Sequence, residues 1–366
     1  MKIAIVTPHI FMWDKILKDS IFAPGQLAID LSNELVKKGH EVTLFTTGKV
    51  NTKANIDFVD TKSIITELKK HNLNPTNLIK NDLVTFEKLF KIIEYEILAN
   101  VFSKADKFDV IHIFITNGPE GPIFSKTIKN TPILFTLHDP FKLNFPNPES
   151  YSLLKGISFN AISNNQKFKV PQLNVIKTIY NGIKISRFKF IKTPSDYFAY
   201  YGRIIKPKGV HHAVNVCKEL KIKLKIAGLH YEGHGGDHYW SQQIYPYIDN
   251  KLITYEGFLK KQIEKNKLLG HAKALLFPIE WQEPFGLVLI ESNACGTPVI
   301  AYKNGSVPEI VKNGINGYIV NNEKEMLQAM KKIHKIDRIK CREYVKKNFN
   351  IQKMVSGYEN CYKELI

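Results

Sequence analysis

Two carboxylates, Glu283 and Glu291, bracket the segment Pro284-Phe285-Gly286-Leu287-Val288-Leu289-Ile290. Pro284 and Gly286 punctuate a loop ahead of the apolar run Leu287 to Ala294, which reads as a short buried helix. Glu283 then lies in the loop with Phe285, and Glu291 about two turns inside the helix, so both can face one cleft. Between them the backbone N–H groups of Gly286, Leu287 and Val288 form a helix N-terminus, which attracts anions and suits a phosphate. A phosphate site flanked by two acceptors for hydroxyl groups points to a nucleotide sugar. The same residues also admit a plainer reading, in which one Glu complements the helix dipole and the other forms a salt bridge.

The cations for such a site lie upstream, in Gly202-Arg203-Ile204-Ile205-Lys206-Pro207-Lys208-Gly209. This loop follows an expected strand over 197–201, at the carboxyl end where α/β sheets bind ligands. Gly202, Pro207 and Gly209 let the backbone turn tightly around an anion. Arg203 and Lys208 read as exposed cations that can neutralise a diphosphate and the charge growing on it as it departs. The metal-using alternative calls for an Asp-x-Asp at a strand end, and the sequence contains none. No metal and no cofactor are expected.

Glu283 to Glu291 resembles the E-x7-E motif of retaining glycosyltransferases of the glycogen-synthase-like and mannosyltransferase-like group, the group 1 glycosyl transferases. The Gly202 to Gly209 loop resembles that group's Gly-Arg-x4-Lys-Gly. Gly305-Ser306-Val307-Pro308-Glu309, followed by Asn313-Gly314-x-x-Gly317, resembles its closing segment. The resemblance is strong from about residue 175 to 320 and schematic before that. It implies the GT-B fold: an α/β protein of two Rossmann-like domains facing each other across a cleft. It implies transfer of a sugar from a nucleotide diphosphate sugar, UDP- or GDP-linked, to a hydroxyl acceptor on a saccharide, glycolipid or small molecule, without a metal.

Residue by residue, the resemblance gives Glu291 to the nucleotide ribose and Glu283 to the transferred sugar. A carboxylate suits the first role because it accepts two hydrogen bonds from a vicinal diol. Glu283 would orient sugar hydroxyls or stabilise an oxocarbenium-like ring. Thr136-Leu137-His138-Asp139 resembles the family's His-Asp strand end, whose His faces the sugar; His9 is a weaker candidate. Pro24-Gly25 stands where relatives often carry Gly-Gly, so Gly25 is placed near the donor phosphates or in a simple turn. Gly257, Phe258 and Leu259 form a loop placed at the base. Asn181-Gly182-Ile183 matches an interdomain turn, with Lys184 where Asp is usual.

The elements that must position these residues alternate as in a doubly wound protein. Strands are expected at 2–6, 41–46, 110–114, 132–136 and 157–162, with helices at 26–38 and 77–105. A basic, irregular stretch from Ile183 to Asp196 precedes strands at 197–201, 222–227, 252–255, 274–277 and 298–301, with helices at 207–219, 260–270 and 287–295. Residues 1–185 form the first domain, which the resemblance makes the acceptor-binding one, and the resemblance implies that a C-terminal helix 351–366 crosses back to it. Residues 186–350 are assigned to the donor-binding domain.

Composition sets limits. A chain of 366 residues with 44% hydrophobic content is long enough for two cores. Cys217, Cys295, Cys341 and Cys361 form no C-x-x-C, so neither disulfide framework nor zinc site is expected and a reducing cytoplasm is the simplest home. No apolar run approaches the ~18 residues of a membrane span. The net charge of +18 is spread evenly, with 25 basic against 17 acidic residues over 1–190 and 27 against 17 over 191–366. An even lysine excess argues against nucleic-acid binding and leaves attraction to an anionic membrane face open. A nucleotide-sugar 2-epimerase shares this architecture, a noncatalytic sugar-nucleotide-binding protein would have shed one of the four charged residues, and an NAD dehydrogenase lacks its G-x-G-x-x-G.

Overall fold

The computed structural model describes residues 1–9, 12, 22–59, 66, 70, 83–115, 120–139, 148–230 and 238–366. The chain forms two compact units, Met1–Gly182 with Ile351–Ile366, and Ile183–Asn350.

The first unit holds a seven-stranded parallel sheet in the order β3-β2-β1-β4-β5-β6-β7. Its strands are β1 (Lys2–Val6), β2 (Glu41–Thr46), β3 (Asn55–Phe58), β4 (Val110–Ile115), β5 (Ile133–Leu137), β6 (Ser158–Ala161) and β7 (Val175–Thr178). Helices α1 (Ala23–Lys37), α2 (Leu83–Phe102), α3 (Glu120–Ser125) and α4 (Asn164–Lys169) accompany it. β1 and β4 are apolar along nearly their whole length because helices cover both faces of the sheet, and every residue of β4 is buried. The C-terminal helix Ile351–Leu365 belongs to this unit and packs on α1. Its Tyr362 hydroxyl lies 2.7 Å from His112 Nδ1 inside the sheet layer, while His112 Nε2 lies 2.6 Å from Thr136 Oγ1.

The second unit carries a six-stranded parallel sheet, β10-β9-β8-β11-β12-β13. Its strands are β8 (Phe198–Tyr201), β9 (Leu224–Ala227), β10 (Ile253–Tyr255), β11 (Leu275–Phe277), β12 (Val299–Tyr302) and β13 (Gly317–Val320). Its helices are α5 (Val210–Leu220), α6 (Gln262–His271), α7 (Leu287–Ala294), α8 (Val307–Ile310), α9 (Glu323–Lys332) and α10 (Arg338–Asn348).

Three expectations need correction. The helix expected at 26–38 starts at Ala23, so Pro24 and Gly25 lie in its first turn, where proline's missing N–H has no helical partner to lose. The helix expected at 207–219 is split: a 3-10 turn Lys206–Lys208 ends at Gly209, which is left-handed with φ 66°, and α5 starts after it. A Cβ at Gly209 would overlap the Pro278 carbonyl, so only glycine allows this approach. Strands β3, β7 and β13 were not expected; all three are short sheet edges with too little apolar pattern to mark them. Of the helix expected at 77–105, residues 77–82 lie outside the described residues.

Arginine occurs only at Arg187, Arg203, Arg338 and Arg342, and two of these hold the second unit together. Arg338 donates to the carbonyls of Ile191 (2.8 Å), Ala272 (2.9 Å) and Gly270 (2.5 Å) and to Thr297 Oγ1 (2.7 Å). Arg342 donates to the Phe188 and Ala294 carbonyls. Five N–H donors in a rigid fork serve several loop carbonyls at once, which a lysine cannot do. Arg338→Met keeps the length and removes the donors, so it should lower unfolding free energy by about 3 kcal/mol. A lower urea midpoint at unchanged m-value would show this; an unchanged midpoint would show that water replaces the guanidinium without loss.

Candidate functional site

In the second sheet the strand order reverses between β8 and β11, a switch point of the kind where open α/β sheets bind ligands at the carboxyl ends of their strands. Arg203 and Lys208 leave β8, and Glu283 lies on the segment after β11. The topology brings the expected cations and one expected carboxylate together. Lys208 Nζ donates to Glu283 Oε2 at 2.5 Å, and the Trp281 indole N–H donates to the same oxygen at 2.8 Å. The Lys208 ammonium sits 4.7 Å from the centre of the Trp281 ring, and the Arg203 guanidinium 5.6 Å from it. Lys208 is therefore not the exposed cation expected: its side chain is 11% exposed and that of Glu283 10%. Paired burial is what the sequence could not reveal, since Trp281 lay outside the motif.

The Glu283 loop is clamped from behind. Ser306 N–H donates to the Glu283 carbonyl at 2.9 Å, Ser306 Oγ to the Phe285 carbonyl at 2.8 Å, and Asn304 Nδ2 to the Ile279 carbonyl at 2.7 Å. Gly305, with φ 57°, lies so close that a Cβ would overlap Glu283 backbone atoms. The Gly305-Ser306 pair thus acts as a brace for Glu283. Phe285 is buried against Phe349. Gly286 takes a left-handed φ of 81° and caps α7, and the first backbone bond of that end runs from Leu289 N–H to the Gly286 carbonyl. The N–H groups of Gly286, Leu287 and Val288 precede it, as a helix N-terminus requires.

Glu291 lies inside α7 and pairs with Lys265 at 2.9 Å rather than with the Lys208 group. Burial opposes the charge on Lys265, but the Glu291 carboxylate and the nearby Tyr201 outweigh it and raise the ammonium pKa. Lys265 was not singled out in the sequence; it lies on α6, far from any motif. Gly257 accepts a hydrogen bond from Gly228 N–H at 2.9 Å, and Phe258 and Leu259 are half-buried beside it. Next to this loop His230 stacks on Trp240 at 4.5 Å, with Tyr255 4.6 Å from the indole. This aromatic group also escaped the sequence reading. So did His211, His212 and Glu280, the one cluster among the described residues with metal-ligand spacing.

The first unit holds the remaining candidates. His138 follows β5, is buried, and stacks on Phe114 with centroids 4.7 Å apart. Its Nε2 has no hydrogen-bond partner among the described residues, and burial pushes the imidazole down to about 3. An orphaned buried nitrogen calls for an explanation, and a ligand hydroxyl is one. His9 lies between Phe22 and Phe90, and burial likewise lowers it to about 3. A Cβ at Gly25 would crowd Met12 and Phe22, so side-chain packing by itself calls for glycine there.

Residues 183–350 match the family model of glycosyl transferases group 1, and residues 25–187 that of glycosyltransferase family 4. The chain is 24% identical over 382 residues to N-acetyl-alpha-D-glucosaminyl L-malate synthase of Bacillus anthracis, covering 95% of each. It is 28% identical over 207 residues to an uncharacterized 41.2 kDa protein of the cps region of Klebsiella pneumoniae, a match spanning 52% of this chain and about half, 55%, of that protein. Among solved structures it resembles Anabaena HepE in complex with UDP, with TM-score 0.70, 16% identity and full coverage of both chains.

The buried imidazoles of the first unit give a pH test. His112 is held well below its ordinary value by burial and by the neighbouring His138, and His138 by burial alone. Both stay neutral when folded, whereas the unfolded chain takes up protons below about pH 6.5. Stability is then fully present above pH 6.5 and falls with pH by about 1.4 kcal/mol per unit for each residue. Urea unfolding at pH 7 and 5.5 should show the loss, and His138→Gln should flatten it. A slope untouched by His138→Gln would place the titration elsewhere.

Proposed function

We propose that this chain, which two glycosyltransferase family models match over residues 183–350 and 25–187, moves a sugar from a nucleotide diphosphate sugar to an acceptor hydroxyl, with retention and without a required metal. The observation that carries the reading is the Lys208–Glu283 pair at the sheet's switch point, beside Arg203 and the N-terminus of α7. A diphosphate entering there would draw Lys208 and Arg203 to its oxygens and leave the Glu283 carboxylate facing the sugar. The acceptor oxygen bonds to the anomeric carbon from the face the leaving group departs, and the carbon–oxygen bond to the β-phosphate breaks. The acceptor proton passes to that phosphate oxygen, so no separate base is needed. The two cations lower the barrier by neutralising charge that grows on the leaving group. Glu283 stabilises the oxocarbenium-like ring, and Glu291 accepts hydrogen bonds from the ribose after exchanging its contact with Lys265. In the first unit His138, neutral at physiological pH, offers a hydrogen bond to a hydroxyl. UDP-sugars are the first donors to test, since the Anabaena neighbour holds UDP, with GDP-sugars next.

The two carboxylates should fail differently. Glu291→Ala removes contacts made equally in ground and transition states, so diphosphate affinity should fall by roughly 1.5–3 kcal/mol. Glu283→Gln keeps the shape and loses the charge, so turnover should drop far more than affinity for bare diphosphate. Calorimetric titration and turnover of both variants, each with and without EDTA, decide the matter. Near-normal turnover in Glu283→Gln, or turnover abolished by EDTA and restored by Mg²⁺, would sink the assignment.

We place the acceptor on a saccharide or glycolipid at the inner face of a membrane. No helix among the described residues is long and apolar enough to cross one. On α2, however, Val84 and Ile92 are exposed with Lys88 and Lys91 between them, a mixed apolar and basic stripe, while Phe90, Ile93, Ile97 and Val101 face the core. Such a face suits an anionic lipid surface. Flotation with liposomes rich in acidic lipid should show binding that weakens as salt rises and is lost in K88E/K91E. No binding at low salt would favour a soluble acceptor.

A further inference from the structure

The two histidines that open α5 and the glutamate after β11 form a cluster for which the sugar-transfer reading has no use. His211 and His212 are neighbours with ring centroids 4.0 Å apart, yet both turn Nε2 toward one carboxylate. Glu280 Oε1 lies 3.1 Å from His212 Nε2 and 4.0 Å from His211 Nε2, and one atom from each residue can be chosen so that all lie within 4.8 Å of one another. Tetrahedral zinc with bonds of about 2.0–2.1 Å sets its ligand atoms roughly 3.3 Å apart, so modest side-chain rotations would close the set.

The far sides of both rings are already held. His212 Nδ1 is 2.6 Å from Glu323 Oε1, and His211 Nδ1 is 2.8 Å from the Tyr239 hydroxyl, which also accepts the His211 backbone N–H at 3.0 Å. An outer partner on Nδ1 is what orients a metal-binding imidazole and fixes its tautomer. When His212 donates its Nδ1–H hydrogen bond to Glu323, its Nε2 lone pair faces the lone pairs of Glu280. Two acceptors 3.1 Å apart repel unless a proton or a cation lies between them. His212, Glu280 and Glu323 also line a cavity of ≈ 570 Å³ with Tyr302, Asn304 and Asn321, which gives an ion a way in and room for a water as fourth ligand.

We infer that His211, His212 and Glu280 bind one divalent transition-metal ion of the zinc class. Two imidazoles and one carboxylate are the donor set that class takes, whereas Mg²⁺ and Ca²⁺ prefer oxygen alone. Glu280 N–H donates to the Pro207 carbonyl at 2.9 Å, so the bound ion fastens the loop carrying Lys208 to the segment leading to Glu283. It takes no part in the transfer step, and the inference stands whether or not the chain transfers sugar.

The test uses the untagged full chain, stripped with chelator and then titrated with Co²⁺ and Zn²⁺. We expect one ion per chain, intense visible d–d bands of four-coordinate Co²⁺, and their displacement by Zn²⁺. His211→Ala, His212→Ala and Glu280→Gln should each weaken binding at least about tenfold, and Glu323→Gln by about 10- to 100-fold through the outer contact. His334→Ala, an exposed histidine, should change nothing. Circular dichroism of the metal-free variants separates lost ligands from lost folding, and if a histidine variant fails to fold, Glu280→Gln and Glu323→Gln carry the test. Absence of the bands in the wild-type chain, or equal Co²⁺ affinity in Glu280→Gln and Glu323→Gln, overturns the inference.

Discussion

Glu283 and Lys208 form a mostly buried ion pair, and much of the second unit is arranged so that it can exist. Taking two charges out of water costs several kcal/mol, and mutual attraction repays it only when geometry and supporting hydrogen bonds are good. Here Trp281 supplies a second donor to the carboxylate and a ring face to the ammonium. Gly209 allows the Lys208 turn to pass over the Pro278 carbonyl, and Gly305 allows the brace to lie against Glu283. A pair of well-packed apolar residues would hold these two loops together at least as firmly. Stability alone therefore does not account for the pair. Charges kept at such expense, beside a helix N-terminus and a second cation, support the anion site proposed above.

The same unit satisfies its other buried polar groups almost completely, and that fixes α7 in place. Asn293 and Asn316 are fully buried and bond to one another, to the Thr297 and Ile310 carbonyls and to Lys312 N–H. With Arg338 on Thr297 and Arg342 on the Ala294 carbonyl, the far end of the helix is held as firmly as the Gly286 end. A rigid helix matters because Glu283 and Glu291 sit before and within it, and an error of an ångström at either would be felt in any reaction they serve.

The placement of the candidate residues in the second unit was legible in the sequence because short-range spacing carries it. Arg203, Lys208, Glu283 and Glu291 all stand on loops or helix ends that glycine and proline mark, and the strands feeding them, β8 and β11, fell within a residue of expectation. What stayed hidden depends on pairing across long separations. Lys265 meets Glu291 from another helix, and Glu280 lies 68 residues from His212. Edge strands such as β3, with burial too slight to print an alternating pattern, were also missed. The overestimate of Lys208 exposure has the same root: a lysine in a glycine-rich loop looks solvated until the tryptophan that covers it is known.

The first unit raises a different question, which its buried histidines answer in part. An imidazole held near a pKa of about 3 carries no charge at neutral pH, so His138 can neither balance a phosphate nor deliver a proton as an imidazolium. What it can do is hold one hydrogen bond through Nε2, in a place where Phe114 fixes the ring and water is excluded. Such a contact selects position rather than charge. A neutral imidazole of this kind fixes the position of the group it meets and leaves any charge compensation to other residues.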